Sequence, residues 1–392
     1  MVNRHRLSEE FARLAAINSP PLHEHAIARY LVGRLENLGA EVLFDNAAEA
    51  TGGEIGNLVA RFAGQLKSAE PLLFSVHMDT VEPGGQVQPV LRDGVFYSAG
   101  DTVLGADDKA GVAELIEALE VLREQQIPHG PLEVVVTIAE EIGLVGAKHL
   151  DYTLLKSKRG YALDTEGTGW MVLQAPGANH LQIDIEGVAS HAGMTPELGL
   201  SAIHTAALAI GRMRLGRIDH ETTANIGRIE GGVARNIVPQ HVTVVGEARS
   251  HDADKLQEQT THMLACFEAA AKEMSRVIED QRVTPRVDAD IRSDFPSMSV
   301  PEDAMTVQLA RSAAQSLGQE LKVRLGGGGS DANIFNGHGI EMIILATGMQ
   351  KVHTHDEYVA VADMAGVAEL LVEIIRQAGS ANLDNLPADR TR

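Results

Sequence analysis

The stretch Leu72-Leu-Phe-Ser-Val-His-Met-Asp-Thr-Val81 opens as an apolar run and closes on polar groups, His77 and Asp79. That order describes a buried strand with polar side chains at its carboxyl end. The pattern returns twice downstream. Leu132 to Ala139 is a second, largely apolar run, and Glu140 and Glu141 follow directly on it. Gly160 to Leu163 is a shorter run that ends at Asp164. Between the first two runs the spacing predicts a helix from Asp107, with Val112, Leu115, Ile116, Leu119 and Leu122 as its apolar stripe. Strand–helix–strand alternation of this kind implies an α/β sheet covered on both faces by helices.

Working outward, Ser8 to Ile17 and Leu22 to Leu38 carry apolar residues at helical spacing, and Gly39 is a plausible stop for the second. Glu41 to Asp45 and Asn57 to Phe62 read as strands. Beyond residue 176 the pattern changes. Leu181 to Glu186 and Val242 to Ala248 alternate apolar and polar residues, as half-exposed antiparallel strands do. Helices are expected near Ser201 to Met213 and Ala253 to Met274. We read 177–293 as a small α+β domain, a two-layer sandwich, inserted into a discontinuous mixed-sheet domain formed by 1–176 and 294–392. After Pro301 the α/β pattern resumes with a helix to Leu317, strands at Lys322 to Leu325 and Met342 to Ala346, and a closing helix from Val361 to Gln377. The tail from Ser380 to Arg392 is polar and reads as frayed.

Composition narrows the functional classes. The chain holds 33 Lys and Arg against 54 Asp and Glu, a net charge of −21. Such a surface repels phosphate backbones and anionic lipid headgroups. Aromatic residues make up 4%, too few for a base-stacking platform. We therefore expect neither a nucleic acid nor a membrane as partner. The single cysteine, Cys266, excludes an internal disulfide and a thiolate zinc site. Met1 to Glu10 is polar, and no stretch approaches the ~20 apolar residues of a membrane span, so the expected location is the cytoplasm.

The polar residues at the strand ends are the candidates for chemistry. His77 and Asp79 lie two apart and face the same side of a strand. An imidazole there can bind a metal through one nitrogen while Asp79 holds the other. In Gly105-Ala-Asp-Asp-Lys-Ala-Gly111, one acid suffices to cap the following helix. We assign that role to Asp108 and a cation-bridging role to Asp107. Of Glu140 and Glu141, one can bind metal while the other takes a proton from an attacking water. Asp164 and one histidine of Val352-His-Thr-His-Asp-Glu-Tyr358 complete the set. Acids and histidines at strand carboxyl ends occupy the place where open α/β sheets bind ligands. Carboxylate and imidazole donors without thiolate suit zinc, manganese or cobalt, and their number suits two divalent ions about 3.5–4 Å apart.

These segments, together with Ser190-His-Ala-Gly193 and Asn236, resemble a family of dizinc metallopeptidases that includes peptidase T, carboxypeptidase G and the acetylornithine and succinyl-diaminopimelate deacylases. The resemblance covers nearly the whole chain. It implies that His77, Asp107 and Asp164 bind one metal, and Asp107, Glu141 and His353 the other. It makes Glu140 the general base and later acid, and Asp79 the group that orients His77. It also implies that 177–293 is a dimerisation domain whose His191 reaches a partner's active site and stabilises the oxyanion. Asn236 and Arg249 are candidate substrate contacts. So are Gly328 and Gly329, in the run Gly326 to Asn333, where glycine lets main chain approach a substrate.

The branch within the family is less uniform. Asp164, the Gly105–Gly111 segment and His-Thr-x-x-Glu-Tyr from His353 to Tyr358 resemble peptidase T, an aminopeptidase. Ser190 to Gly199 looks more like the carboxypeptidases and deacylases, and Gly327 stands where peptidase T has arginine. We expect an aminopeptidase or tripeptidase of small peptides. An N-acyl-amino-acid amidohydrolase or carboxypeptidase is the alternative, and a non-catalytic peptide-binding relative ranks third.

Overall fold

The apolar runs become the centre of a mixed sheet because their side chains can be buried on both faces. Every residue of Leu72–His77 and of Leu132–Thr137 is buried in the computed structural model, which describes residues 1–380. The remainder of the tail read as frayed lies outside the described residues. Nine strands form the sheet. Its order is Glu41–Phe44, Leu58–Phe62, Leu132–Thr137, Leu72–His77, Arg159–Leu163, Glu341–Leu345, Trp170–Ala175 and Met298–Ser299, with Lys322–Leu325 also paired to Trp170–Ala175. The four central strands run parallel, with Val76 opposite Val136 and Leu345 opposite Leu163. Their carboxyl ends therefore open on one edge of the sheet. Leu58–Phe62 and Trp170–Ala175 flank them antiparallel. Inside, the Phe74 and Tyr161 rings stack at 5.8 Å. The Tyr161 hydroxyl donates to the Thr306 carbonyl at 2.8 Å, so its burial leaves no polar group unpaired.

Helices Arg4–Ala16, Ala106–Glu124, Met305–Ser316 and Val361–Ser380 pack against one another, and a second group joins Val145–Lys148 to Asp331–Gly337. The stripe expected on Ala106–Glu124 is there, but the opposite side of the helix is also buried, including Glu117 and Glu120. Partners from the first two helices, with Arg123 of the same helix bonded to Glu120 at 2.5 Å, accompany this burial. Arg6 grips Glu117 through Nε at 2.6 Å and Nη2 at 2.9 Å, and Arg34 reaches Glu120 at 3.3 Å. Apolar periodicity finds the stripe; arginine partners, most of them from other helices, accompany the burial of the acids on the other face. A small four-stranded sheet of Met349–Gln350, Tyr358–Ala360, Val95–Ser98 and Pro89–Arg92 was not foreseen, because its strands are too short for alternation to show.

The chain divides into two compact units. The first comprises Met1–Gln174, Ser299–Gly326 and the chain from Ser330 onward; the second comprises Ala175–Met298 with Gly327–Gly329. The second unit has a five-stranded antiparallel sheet in the order Gly216–Arg217, Thr222–Gly231, His241–Ser250, Gly177–Glu186, Arg286–Phe295. Along His241–Ser250 alternate residues are buried, as half-exposed strands require. Ile183, Ile185, Val242 and Val244 pack with Ala202, Ala206 and Ala209 of helix Ala202–Ile210 and with Phe267 and Ala270 of helix Ala253–Glu273. No helix among the described residues is long and apolar enough to cross a membrane.

Candidate metal centre

The first unit gathers its candidates at the carboxyl ends of the parallel strands. His77 closes its strand, and its main-chain N–H donates to the Asp108 carboxylate at 3.2 Å. Asp108 therefore anchors a strand end and does not serve as the helix cap assigned to it above. The His77 Nδ1 atom lies 3.0 Å from the Asp79 carbonyl oxygen, which can only accept, so Nδ1 carries the hydrogen. Nε2 faces Asp107 Oδ1 at 3.1 Å. The Asp79 carboxylate is farther from Nδ1, at 3.5 Å, and is engaged elsewhere. It accepts the main-chain N–H of Glu140 on one oxygen at 3.0 Å and of Glu141 on the other at 3.1 Å. The group closest to His77 is thus the Asp79 main chain, while the Asp79 side chain holds the corner that carries both glutamates.

Asp107 sits on irregular backbone with ψ of 108°, so regular helix begins only after Asp108. Its loop is fixed by Glu357, whose oxygens accept the N–H groups of Leu104 at 2.7 Å, Gly105 at 2.8 Å and Asp107 at 3.1 Å. The second carboxylate oxygen of Asp107 lies 3.3 Å from His353 Nε2, which is also 3.0 Å from Glu141. One carboxylate therefore addresses two imidazoles, one with each oxygen. His353 belongs to the turn between Met349–Gln350 and Tyr358–Ala360, and its φ of +62° is left-handed. His355 does not join the cluster. Ligand atoms of His77, Asp107 and Glu141 all fall within 4.8 Å of one another.

Glu140 and Asp164 complete the electrostatics. Burial pushes the Glu140 carboxyl well above the usual range, and the charges of Asp164, Asp331 and Glu141 add to this. Burial, followed by the Asp107 charge, raises Asp164 to about 8. Glu141 is raised by burial as well. For Asp107 burial acts in the same direction, but the hydrogen bonds with His353 and His77 outweigh it and leave its pKa depressed. His353 is raised to about 10 by Asp107 and Glu141. Asp331, which the sequence reading passed over, is buried here, accepts from Thr137 Oγ1 at 2.5 Å and is raised by burial to about 6. Carboxylates thus outnumber the imidazoles that could balance them. The donor set is oxygen and imidazole, so these residues fit hard or borderline divalent cations.

The remaining candidates lie in the second unit. His191 is exposed, and its Nδ1 accepts the N–H groups of Gly193 at 3.2 Å and Met194 at 3.1 Å. The Asn236 carbonyl accepts from Ala192 at 3.0 Å, which brings the His191 and Asn236 segments together. Arg249 pairs with Glu247 at 3.0 Å and passes 3.6 Å from the place where a Gly328 side chain would begin. A Cβ on Gly329 would meet the Phe295 ring at 2.4 Å, so glycine there is required by packing.

Comparison with known proteins places the chain in a family. Residues 73–377 match peptidase family M20/M25/M40. The chain is 42% identical to aminopeptidase PepT from Bacillus cereus ATCC 10987 over 96% of this chain and 99% of that one, with a TM-score of 0.87. It is 38% identical to a tripeptidase from Staphylococcus aureus over 97% and 100% of the two chains, with a TM-score of 0.90. It is also 41% identical to the uncharacterized protein YqjE of Bacillus subtilis (strain 168), covering 96% of this chain and all of that one. The chain belongs to peptidase family M20/M25/M40.

Proposed function

We propose that this chain is a two-metal aminopeptidase of the tripeptidase kind, removing the first residue from short peptides with a free amino terminus. The observation that carries the reading is the Asp107 carboxylate, which turns one oxygen to His77 and the other to His353. The aminopeptidase and the tripeptidase that share 42% and 38% of its sequence support the substrate class. His77, Asp107 and Asp164 would hold one cation, and Asp107, Glu141 and His353 the other. Zinc fits this donor set, with manganese and cobalt as substitutes. When bound, the cation pair supplies Lewis acidity at the scissile carbonyl and favours ionisation of the attacking water.

The chain's own residues do the rest. Glu140 accepts a proton from the attacking water and returns it to the departing nitrogen; a carboxyl with a raised pKa suits both directions of transfer. Asp79 holds the main chain under Glu140 and Glu141, and Glu357 holds the loop of Asp107. In this reading the second unit is the dimerisation domain. A homodimer in the cytoplasm would present His191 to the partner's substrate to stabilise the oxyanion, with Asn236, Arg249 and the Gly328–Gly329 main chain as further substrate contacts.

The test compares tri-alanine with N-acetyl-tri-alanine, using enzyme stripped by chelator and reconstituted with zinc, manganese or cobalt. Cleavage of the free peptide alone, restored by metal, is the expected result. Rapid cleavage of the blocked peptide alone would reject the aminopeptidase reading in favour of an amidohydrolase. Sedimentation of a fully active monomer would remove His191 from catalysis across subunits.

A further inference from the structure

The segment Ile17-Asn-Ser-Pro-Pro-Leu-His-Glu24 carries no residue given a role in the site above, yet it touches three of the loops that form the site. The Ile17 carbonyl accepts from Lys109 Nζ at 2.7 Å, beside the Asp107 loop. The Ser19 carbonyl accepts the Thr80 N–H at 3.0 Å, next to Asp79. Glu24 reaches the third loop: its Oε1 accepts the N–H of Ala139 at 2.9 Å, directly before Glu140.

Glu24 occupies the N-cap position of helix His25–Asn37, where a polar side chain ordinarily accepts from the helix's own amides. Its side chain makes no such bond. It is fully buried and turns to two residues outside the helix, Leu22 at 2.8 Å and Ala139 at 2.9 Å, both received on one oxygen. Both are left-handed, Leu22 with φ of +70° and Ala139 with φ of +48°, a region that side chains other than glycine disfavour. The neighbouring bonds complete a pattern. The N–H groups of Ala139, Glu140 and Glu141 go in turn to Glu24 Oε1, Asp79 Oδ1 and Asp79 Oδ2. The carbonyls of Ala139 and Glu140 accept from Val145 at 3.0 Å and Leu144 at 2.7 Å. No main-chain group of Ala139 or Glu140 is left to water, so the two glutamate side chains project from a corner that has one conformation.

We infer that Glu24 is a positioning residue: its buried carboxylate holds Ala139 left-handed and thereby aims the Glu140 and Glu141 side chains. The kinetic part of the test rests on the peptidase reading, and the exchange part does not. Amide hydrogen exchange of the metal-free protein, read by mass spectrometry on peptides covering Ala139 to Glu141, is compared for wild type, Glu24→Ala, Glu24→Asp and Glu24→Gln. Losing the acceptor in the Ala variant, or drawing it back by a methylene in the Asp variant, should speed exchange at this corner by about tenfold or more. Gln retains a carbonyl oxygen and should restore protection. On tri-alanine the Ala and Asp variants should lose about 10–100-fold in kcat with KM within about threefold, and Gln should recover most of the loss, because displacement of about 1 Å at the general base is costly. Unchanged exchange in a folded Ala or Asp variant, or exchange as fast in Gln as in Ala, would overturn the inference. Should the Ala variant not fold, the Asp and Gln pair decides. A wild type that cleaves no peptide would remove the peptidase reading and leave the exchange result standing.

Discussion

The two units hold their functional candidates in opposite ways. In the first, His77, Asp107 and Glu140 are buried, and the loops bearing the acids are held at the main chain by other carboxylates: Glu357 for Asp107, Asp79 and Glu24 for the two glutamates. In the second, His191 and Asn236 are exposed on loops joined by main-chain hydrogen bonds. The contrast has a physical cause. Bringing like charges together out of water opposes folding, so such a cluster persists only where the backbone leaves it no way to relax. The exposed loops of His191 and Asn236 gather no such buried charges and need less restraint.

The largest effect tests whether the buried cluster contains a proton carrier distinct from its ligands. Glu140→Ala should lower kcat by about 10²–10⁴ while two metal equivalents per chain remain by elemental analysis. Metal loss in that variant would make Glu140 a ligand and reassign the pair. On the other side of the contrast, His191→Ala should cost about 10²–10³ in kcat if the imidazole meets the oxyanion. Because His191 is exposed, the thermal midpoint and metal content should stay at wild-type values. An unchanged kcat would confine catalysis to the first unit.

A smaller change sharpens the role of the carboxylates that hold the loops. Glu357→Ala leaves three main-chain N–H groups around Asp107 without their acceptor. Metal affinity should weaken by about 10–100-fold, the usual consequence of losing a group that orients a ligand. Calorimetric titration giving the wild-type affinity would show that the Asp107 loop holds its shape without Glu357.

These restraining residues also mark the limit of what the sequence discloses. His77, Glu140 and Asp164 were legible because strand periodicity places them at the ends of apolar runs, and parallel pairing brings those ends together. The bonds made by Glu357, Glu24 and Asp331 were not. Their partners are main-chain amides or a hydroxyl far along the chain: 253 residues separate Glu357 from Leu104, and 115 separate Glu24 from Ala139. No local spacing encodes such a bond. Asp108 was misread for a related reason, since an acid before a helix looks like a cap whether its oxygens turn to the helix or, as here, to the His77 amide. The burial of Glu117 was missed because its neutralising arginine, Arg6, lies on another helix, and Glu120 draws on Arg34 of a second helix as well as on Arg123 of its own.

The smallest expected effect asks whether the second unit's stability can be changed without touching the site. Asp252 caps helix Ala253–Glu273, its carboxylate accepting from Asp254 at 2.8 Å and Lys255 at 3.0 Å. Replacing such a cap by alanine costs ~1 kcal/mol, because two first-turn amides lose their acceptor. The helix supplies Phe267 and Ala270 to the core of its own unit. Asp252→Ala should therefore lower the urea midpoint and leave kcat on tri-alanine and metal affinity as they were. A fall in metal affinity with the cap removed would mean that the second unit's helix supports the buried cluster energetically, and the contrast between the units would then be one of exposure alone.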